Sequence, residues 1–133
     1  MINERPNTCN LCGGEVILVP NSFIHGDRSD DGRFCYYCKR CGAYVGTHKK
    51  RPRDAMGILA NKEMRIMKIK CHELFDRKWK DKKHKHHARD LAYTRLAKKM
   101  GIPKDECHFG YFDLEKLNQA YEILFTDLSK KRH

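Results

Sequence analysis

The sequence has no long hydrophobic run and comparatively few acidic residues. Its longest aliphatic stretch, Val16–Val19, is far shorter than the roughly 20 residues that cross a bilayer, which excludes a membrane-spanning helix. Residues 1–6 lack the charged and then apolar layout of a signal peptide, so we expect a cytoplasmic protein with no membrane partner. The 133 residues include 17 Asp or Glu against 28 Lys or Arg, a net charge of +11. This excess favours an acidic partner, and nucleic acid is the leading class.

The seven cysteines are an odd number, and no secretion signal accompanies them. Both features favour a reducing compartment, where paired cysteines bind metal more often than they form disulfides. There are two Cys-x2-Cys-Gly segments, Cys9–Gly13 and Cys38–Gly42, with 25 residues between Cys12 and Cys38. Two residues between cysteines let both thiolates reach one ion from a tight turn, and the glycine closes that turn. We therefore predict one structural Zn²⁺, since four thiolates leave no open coordination position; the predicted ligands are Cys9, Cys12, Cys38 and Cys41.

Two residues near the second cysteine pair offer alternative ligands. Cys35 could pair with Cys38, but Lys39 rather than glycine follows that pair. Cys35 is therefore predicted to be a strand residue. His48 lies just past the second pair and could replace one cysteine.

Other cysteines and histidines allow a second site. The adjacent pairs Cys71-His72 and Cys107-His108 would have to share one ion, because neighbouring residues of a helix point about 100° apart; buried core cysteine is the default interpretation. His84, His86 and His87 resemble a metal-binding cluster, but they stand among lysines. That setting favours a solvated linker or phosphate contacts.

The pattern of apolar residues predicts an α+β fold, with an N-terminal four-cysteine zinc ribbon over residues 1–50 and a basic three-helix region over residues 51–133. Short β-favouring segments predict antiparallel strands at 15–19, 23–25, 34–37 and 43–47. Apolar residues at helical spacing predict helices at about 62–79, 88–100 and 114–128. One continuous helix up to Met100 is not expected, because residues 80–87 contain no apolar side chain that could pack on a core.

Single residues predict where several elements start and pack. The Asp-Gly pair at 31–32 predicts a turn over residues 27–32. Asp113 is expected to cap the last helix. Leu91 and Leu96 are expected to be buried on the second helix.

The positive charge is concentrated in the middle of the chain. Residues 1–48 are neutral overall and residues 106–133 carry −1, whereas residues 49–105 hold 19 basic and 7 acidic residues. The densest part is Arg77–Arg89, which predicts contacts with nucleic-acid phosphates. The predicted nucleic-acid-binding residues are Lys49, Lys50, Arg51, Arg53, Arg77, Lys78, Lys80, Lys82, Lys83, Lys85 and Arg89. A solvated helix face would also explain this run.

Four aromatic residues are candidates for stacking on unpaired bases: Tyr36, Tyr37, Tyr44 and Trp79. For Trp79 a core position at a helix end is the competing interpretation.

Several segments occur in an order found in a known family. The more specific ones are Cys41–Gly46, with the sequence Cys-Gly-Ala-Tyr-Val-Gly, and Cys107–Asp113. The chain resembles a family of small zinc-finger-containing proteins found mostly in bacteriophages and prophages, over most of its length. The resemblance implies zinc binding, a phage-related origin and the host cytoplasm as location, and it implies no particular enzyme activity.

Three functions compete at this point. The favoured one is a zinc-binding, nucleic-acid-binding protein that uses its basic helical segment. The alternative is a protein-interaction module, acting as an adaptor or inhibitor of a host or phage enzyme. A metal-dependent nuclease is the least favoured function. A polar turn already explains the acidic residues near His25. Cys107 and His108 are consecutive in the sequence, so their side chains rarely face each other as a nucleophile and base must.

Overall fold

The computed structural model describes residues 2–26 and 32–130. It is a mixed α+β structure with three antiparallel strands, which confirms the predicted fold class. The chain divides into two compact units, Met1–Lys62 and Glu63–His133. Among residues 2–26 and 32–130, we find no helix with the length and hydropathy of a membrane span.

The first unit contains a three-stranded sheet in the order β1 (Val16–Pro20), β2 (Phe34–Cys38) and β3 (Tyr44–Gly46). Val16 lies opposite Cys38, and Tyr36 lies opposite Val45. Because side chains alternate along a strand, this register gives one face of the sheet to the core. The buried cluster on that side consists of Cys9, Val16, Tyr36, Cys38, Ala43, Val45, Ala55 and Leu59.

The strand predicted at 23–25 is wrong, because these residues lie in the short helix α1 (Asn21–His25). The helix starts directly after Pro20 and ends at Gly26, whose φ of 85° only glycine adopts readily. Phe23 packs edge-on against Tyr37 of the sheet, with ring centroids 5.2 Å apart. The apolar residues that favoured a strand therefore cover the sheet instead of extending it. The turn predicted over 27–32 falls mostly outside the described residues.

The segment 51–60 belongs to the first unit, so the boundary lies at Lys62 and not at residue 50. Isolated β-bridges pair Thr47 with Ala55 and Tyr44 with Ala60. Ala55, Leu59 and Ala60 are fully buried. These contacts are made between residues distant in sequence, which is why composition alone placed the boundary too early.

The second unit is built on three helices, α2 (Lys62–Asp76), α3 (Lys85–Met100) and α4 (Leu114–Lys130). Residues 77–84 separate α2 from α3, so the chain forms two helices here, as predicted. Asp113 caps α4 as predicted, since its Oδ1 accepts a hydrogen bond from the Lys116 N–H at 2.9 Å. Leu91 is 39% exposed, so its predicted burial is wrong, whereas Leu96 is buried.

Aromatic rings and two cysteines fill the core of the second unit. The ring centroid of Phe109 lies 5.6 Å from that of Phe75 and 5.9 Å from that of Phe112, both in edge-to-face geometry. Cys71 and Cys107 are also fully buried. This unit therefore has an apolar core of its own, and the four predicted metal ligands lie in the other unit.

Candidate metal centre

The four predicted ligands converge at one point of the first unit. Their Sγ atoms all lie within 4.8 Å of one another. Cys9 Sγ is 3.8 Å from Cys41 Sγ, and Cys12 Sγ is 3.4 Å from Cys38 Sγ. Tetrahedral Zn²⁺ with Zn–S bonds of about 2.3 Å places its sulfurs about 3.8 Å apart. The cluster therefore fits one zinc ion.

The two cysteine turns have the same backbone geometry. In the first, the Cys9 N–H donates to Gly14 O at 2.9 Å and the Gly13 N–H donates to Cys9 O at 3.0 Å. Equivalent bonds recur in the second turn, from the N–H groups of Cys38 and Gly42. Gly13 and Gly42 have φ values of 76° and 81°, the left-handed conformation that favours glycine. The Gly after each pair thus closes the turn as the sequence indicated.

Backbone amides point at the sulfurs. The hydrogen bonds run from Leu11 to Cys9 (3.3 Å), from Gly14 to Cys12 (3.4 Å) and from Cys41 to Cys38 (3.5 Å). The bond from the Cys41 amide is the main cause that lowers the pKa of Cys38 to about 6. Donors of this kind stabilise thiolates, the form of cysteine that binds metal.

The neighbouring thiols disfavour ionisation of Cys41. The Ala43 N–H lowers the pKa of Cys41, but desolvation and the three neighbouring thiols raise it to about 12. Four negative sulfurs this close repel one another unless a cation lies between them. A divalent metal ion supplies that cation, so the donor set fits zinc in its electrostatics as well as in its spacing.

Gly14 is a site residue that lies outside the Cys-x2-Cys-Gly motif. A Cβ atom at this position would lie 2.7 Å from Arg40 Cβ, 3.0 Å from Cys38 Sγ and 3.2 Å from Cys12 Sγ. The second turn has Ala43 at the equivalent position. The doubled glycine, Gly13-Gly14, was the available signal, but only the packing shows that the second glycine leaves room for the sulfurs.

The remaining cysteines and histidines lie elsewhere. Cys35 is in β2, as predicted, and its Sγ–H donates to Asn21 Oδ1 at 2.6 Å. Burial raises the pKa of Cys71 and of Cys107 to about 11, which suits neutral core thiols. Within residues 2–26 and 32–130, the four-cysteine group is the one cluster of three or more metal-ligating side chains.

The predicted nucleic-acid-binding residues fall into one group in each unit. In residues 49–53 of the first unit, Arg51 pairs with Glu4 at 3.4 Å and with Asp54 at 3.5 Å. In residues 77–89 of the second unit, Lys78 has a side chain only 13% exposed and pairs with Asp127 at 2.8 Å. These two cations already have acidic partners.

The four stacking candidates differ in accessibility. Tyr36 is buried and its hydroxyl donates to Arg53 O, so its predicted availability for stacking is wrong. Tyr37 and Tyr44 are half-buried. Trp79 is also half-buried; its Nε1–H donates to Asp76 Oδ1 at 3.1 Å, and the Arg89 guanidinium lies 5.6 Å from its ring centroid.

Fold and site together define a four-cysteine zinc ribbon joined to a helical region. The chain belongs to the family DUF3268, described as a zinc-finger-containing domain, which it matches over residues 5–126. No curated protein and no solved structure matches the chain. The family match and the cysteine cluster support zinc binding by one structural ion, as predicted.

Proposed function

We propose that this is a nucleic-acid-binding protein in which the zinc ion is structural and the segment Arg77–Arg89 contacts phosphates. The observation that carries the proposal is a set of exposed cations without acidic partners. Arg77, Lys82, Lys83 and Lys85 are all exposed, and none of them forms an ion pair with a residue in the described part of the chain.

Free cations in a short segment suit a polyanion. Each Lys or Arg that neutralises a phosphate releases condensed counterions, which favours binding at low salt. The unit Glu63–His133 contains 18 basic and 11 acidic residues, a net +7. The segment therefore lies in a unit whose overall charge also attracts phosphate.

The zinc centre is assigned a structural role for two reasons. Four thiolates would complete the coordination of zinc, leaving no position for substrate. Four thiolates and one Zn²⁺ also carry a net charge of −2, which lowers the formal charge of Met1–Lys62 from +4 to +2. The metal thus weakens the attraction of that unit for phosphate, while it stabilises the fold.

Charge reversal in the basic segment tests the proposal. Binding of labelled single-stranded DNA, duplex DNA and RNA is measured by fluorescence anisotropy for the triple variant K82E/K83E/K85E. The matched control K62E/K70E/K116E makes the same change in charge at exposed lysines outside the segment. We expect the segment variant to lose at least tenfold more affinity than the control. Equal losses, or no binding by the unaltered protein, would refute the proposal.

The alternative is a protein-interaction module, favoured by exposed apolar side chains on the first unit. Phe23 is 59% exposed, Met56 44% and Leu11 41%. The sequence resembles a family found mostly in bacteriophages and prophages. If the protein has that origin, its partner would be a host or phage enzyme in the host cytoplasm. A pull-down with and without nuclease separates the two functions. A partner retained after nuclease treatment supports the alternative, and a partner lost supports nucleic-acid binding.

A further inference from the structure

A basic pocket of about 200 Å³ lies on the second unit, between α3, the C-terminal part of α4 and the residues that follow α2. Four cations and one carboxylate line it: Lys78, Arg95, Lys99, Lys130 and Asp127. The local formal charge is therefore +3. Clefts lined by one sign of charge concentrate the field and attract counter-ions.

One regular helix face builds the floor of this pocket. Ala88, Ala92, Arg95 and Lys99 line it from α3. Their spacings of four, three and four residues place them on the same side of the helix. The two alanines leave open space that longer side chains would fill. The pocket thus depends on helical geometry rather than on a loop.

The carboxylate neutralises only part of this charge. Asp127 accepts hydrogen bonds from Lys78 at 2.8 Å and from Lys99 at 2.5 Å. Desolvation acts to raise the pKa of Asp127, but the hydrogen bonds from both lysines bring it below its ordinary value. The carboxylate is therefore ionised at neutral pH, and it balances one of the two lysines.

The other two cations have no such partner. Arg95 and Lys130 are exposed, and neither forms an ion pair with any residue in 2–26 or 32–130. Four like charges around one pocket repel one another, which an anion of charge −2 would relieve.

We propose that this pocket binds a phosphate monoester group. A monoester carries about −1.5 to −2 at pH 7, which matches the local excess better than the single charge of a backbone diester. The Arg95 guanidinium offers a fork of N–H donors of the kind that pairs with two phosphate oxygens. The proposal goes beyond the proposed function, because Arg95, Lys99 and Lys130 lie outside Arg77–Arg89.

The test measures binding of inorganic phosphate to the zinc-loaded full chain by isothermal titration calorimetry at constant ionic strength. We expect R95Q/K130Q to bind at least tenfold more weakly, and the matched control K62Q/K116Q to bind as the unaltered protein does. Asp127→Asn is expected to strengthen binding several-fold, because it removes the one negative charge. If the ion pairs of Asp127 only stabilised the fold, their removal would not strengthen phosphate binding.

A second variant covers the case in which Asp127→Asn does not fold. Ala88→Phe fills the pocket without changing its charge, so it should abolish phosphate binding while the Trp79 fluorescence of the unit is retained. No phosphate binding by the unaltered protein, full binding by R95Q/K130Q, or full binding by a folded Ala88→Phe variant would each overturn the proposal.

Two further ligands identify the source of the phosphate. Tighter binding of a 5′-phosphorylated oligonucleotide than of its 5′-hydroxyl form assigns the pocket to the end of a nucleic-acid strand. Equal binding of the two strands, with pocket-dependent binding of a nucleoside monophosphate, assigns it to a small phosphate ester. Either result supports a monoester site.

Discussion

The side-chain amide of Asn10 forms two hydrogen bonds with the backbone of Leu59. Its Nδ2 donates to Leu59 O at 3.0 Å, and its Oδ1 accepts from the Leu59 N–H at 2.9 Å. Asn10 lies between the first two zinc ligands, and Leu59 is fully buried in the segment before α2. The pair imitates the pairing of two strands and joins the metal turn directly to a residue 49 positions later.

Asn10→Ala should destabilise the first unit without removing zinc. The substitution leaves the buried Leu59 backbone without its side-chain partners, which costs about 1–3 kcal/mol of unfolding free energy. Chemical denaturation of the zinc-loaded protein, followed by tyrosine fluorescence, measures this loss. Asn118→Ala, at an exposed position of α4, is the control and should change the stability by less than about 0.5 kcal/mol. Equal stabilities of the two variants would contradict the role of the Asn10–Leu59 pair.

Gly14→Ala should weaken zinc binding by about 1–3 kcal/mol, or roughly 5- to 150-fold, because the added methyl group meets Arg40 and two ligand sulfurs. Competition with a chromogenic chelator measures the affinity. Removing the Arg40 side chain relieves the shortest contact, so Gly14→Ala/Arg40→Gly should recover part of the loss relative to Arg40→Gly alone. Additive losses in this cycle would show that the proposed clash does not occur.

Zinc removal should unfold the first unit and spare the second. Metal binding contributes folding free energy to Met1–Lys62, whereas Glu63–His133 has a core of its own. Trp79 is the one tryptophan and reports on the second unit alone. With excess chelator, limited proteolysis should cut within the first unit, while the Trp79 emission maximum stays constant. A large red shift of that emission would mean that the second unit also requires the metal.

Asp127→Asn should lower stability at pH 7, and this loss should shrink as the pH falls below 3.8. The folded-state pKa of Asp127 is below its usual value of 3.8, so its contribution is present above that value. It is lost as the pH falls through the folded-state pKa. We expect a loss of about 1–3 kcal/mol at pH 7, since Lys78 loses a partner in a half-buried pair. Urea unfolding followed by Trp79 fluorescence measures it, with exposed Asp105→Asn as the control. A loss of the same size at every pH would contradict the pairing.

The sequence predicted what depends on local spacing. The four zinc ligands follow from two short turns, and the cap of α4 follows from the side chain of Asp113. Each of these inferences rests on a motif of a few consecutive residues and not on contacts between distant residues. For the same reason the absence of apolar residues at 80–87 was enough to separate α2 from α3.

The predictions that were wrong or incomplete concern places where tertiary contacts override local preference. Phe23 has a high strand propensity, but packing on Tyr37 holds it in a helix. Leu59 belongs to the ribbon because Asn10 binds its backbone, and no pattern in residues 51–60 indicates that partner. The need for glycine at position 14 likewise depends on Arg40, 26 residues away. Contacts of this kind can be recognised only once the two chain segments are placed side by side.

The zinc content of single-cysteine variants tests the central claim, a zinc centre held by Cys9, Cys12, Cys38 and Cys41, most directly. Native mass spectrometry of the purified chain should show one zinc ion. Cys35→Ser should retain it, because the Cys35 thiol donates a hydrogen bond to Asn21 Oδ1 and lies outside the cluster. Cys38→Ser should lose it or bind it much more weakly. Zinc retained by Cys38→Ser but lost from Cys35→Ser would contradict the assigned ligands and the fold built around them.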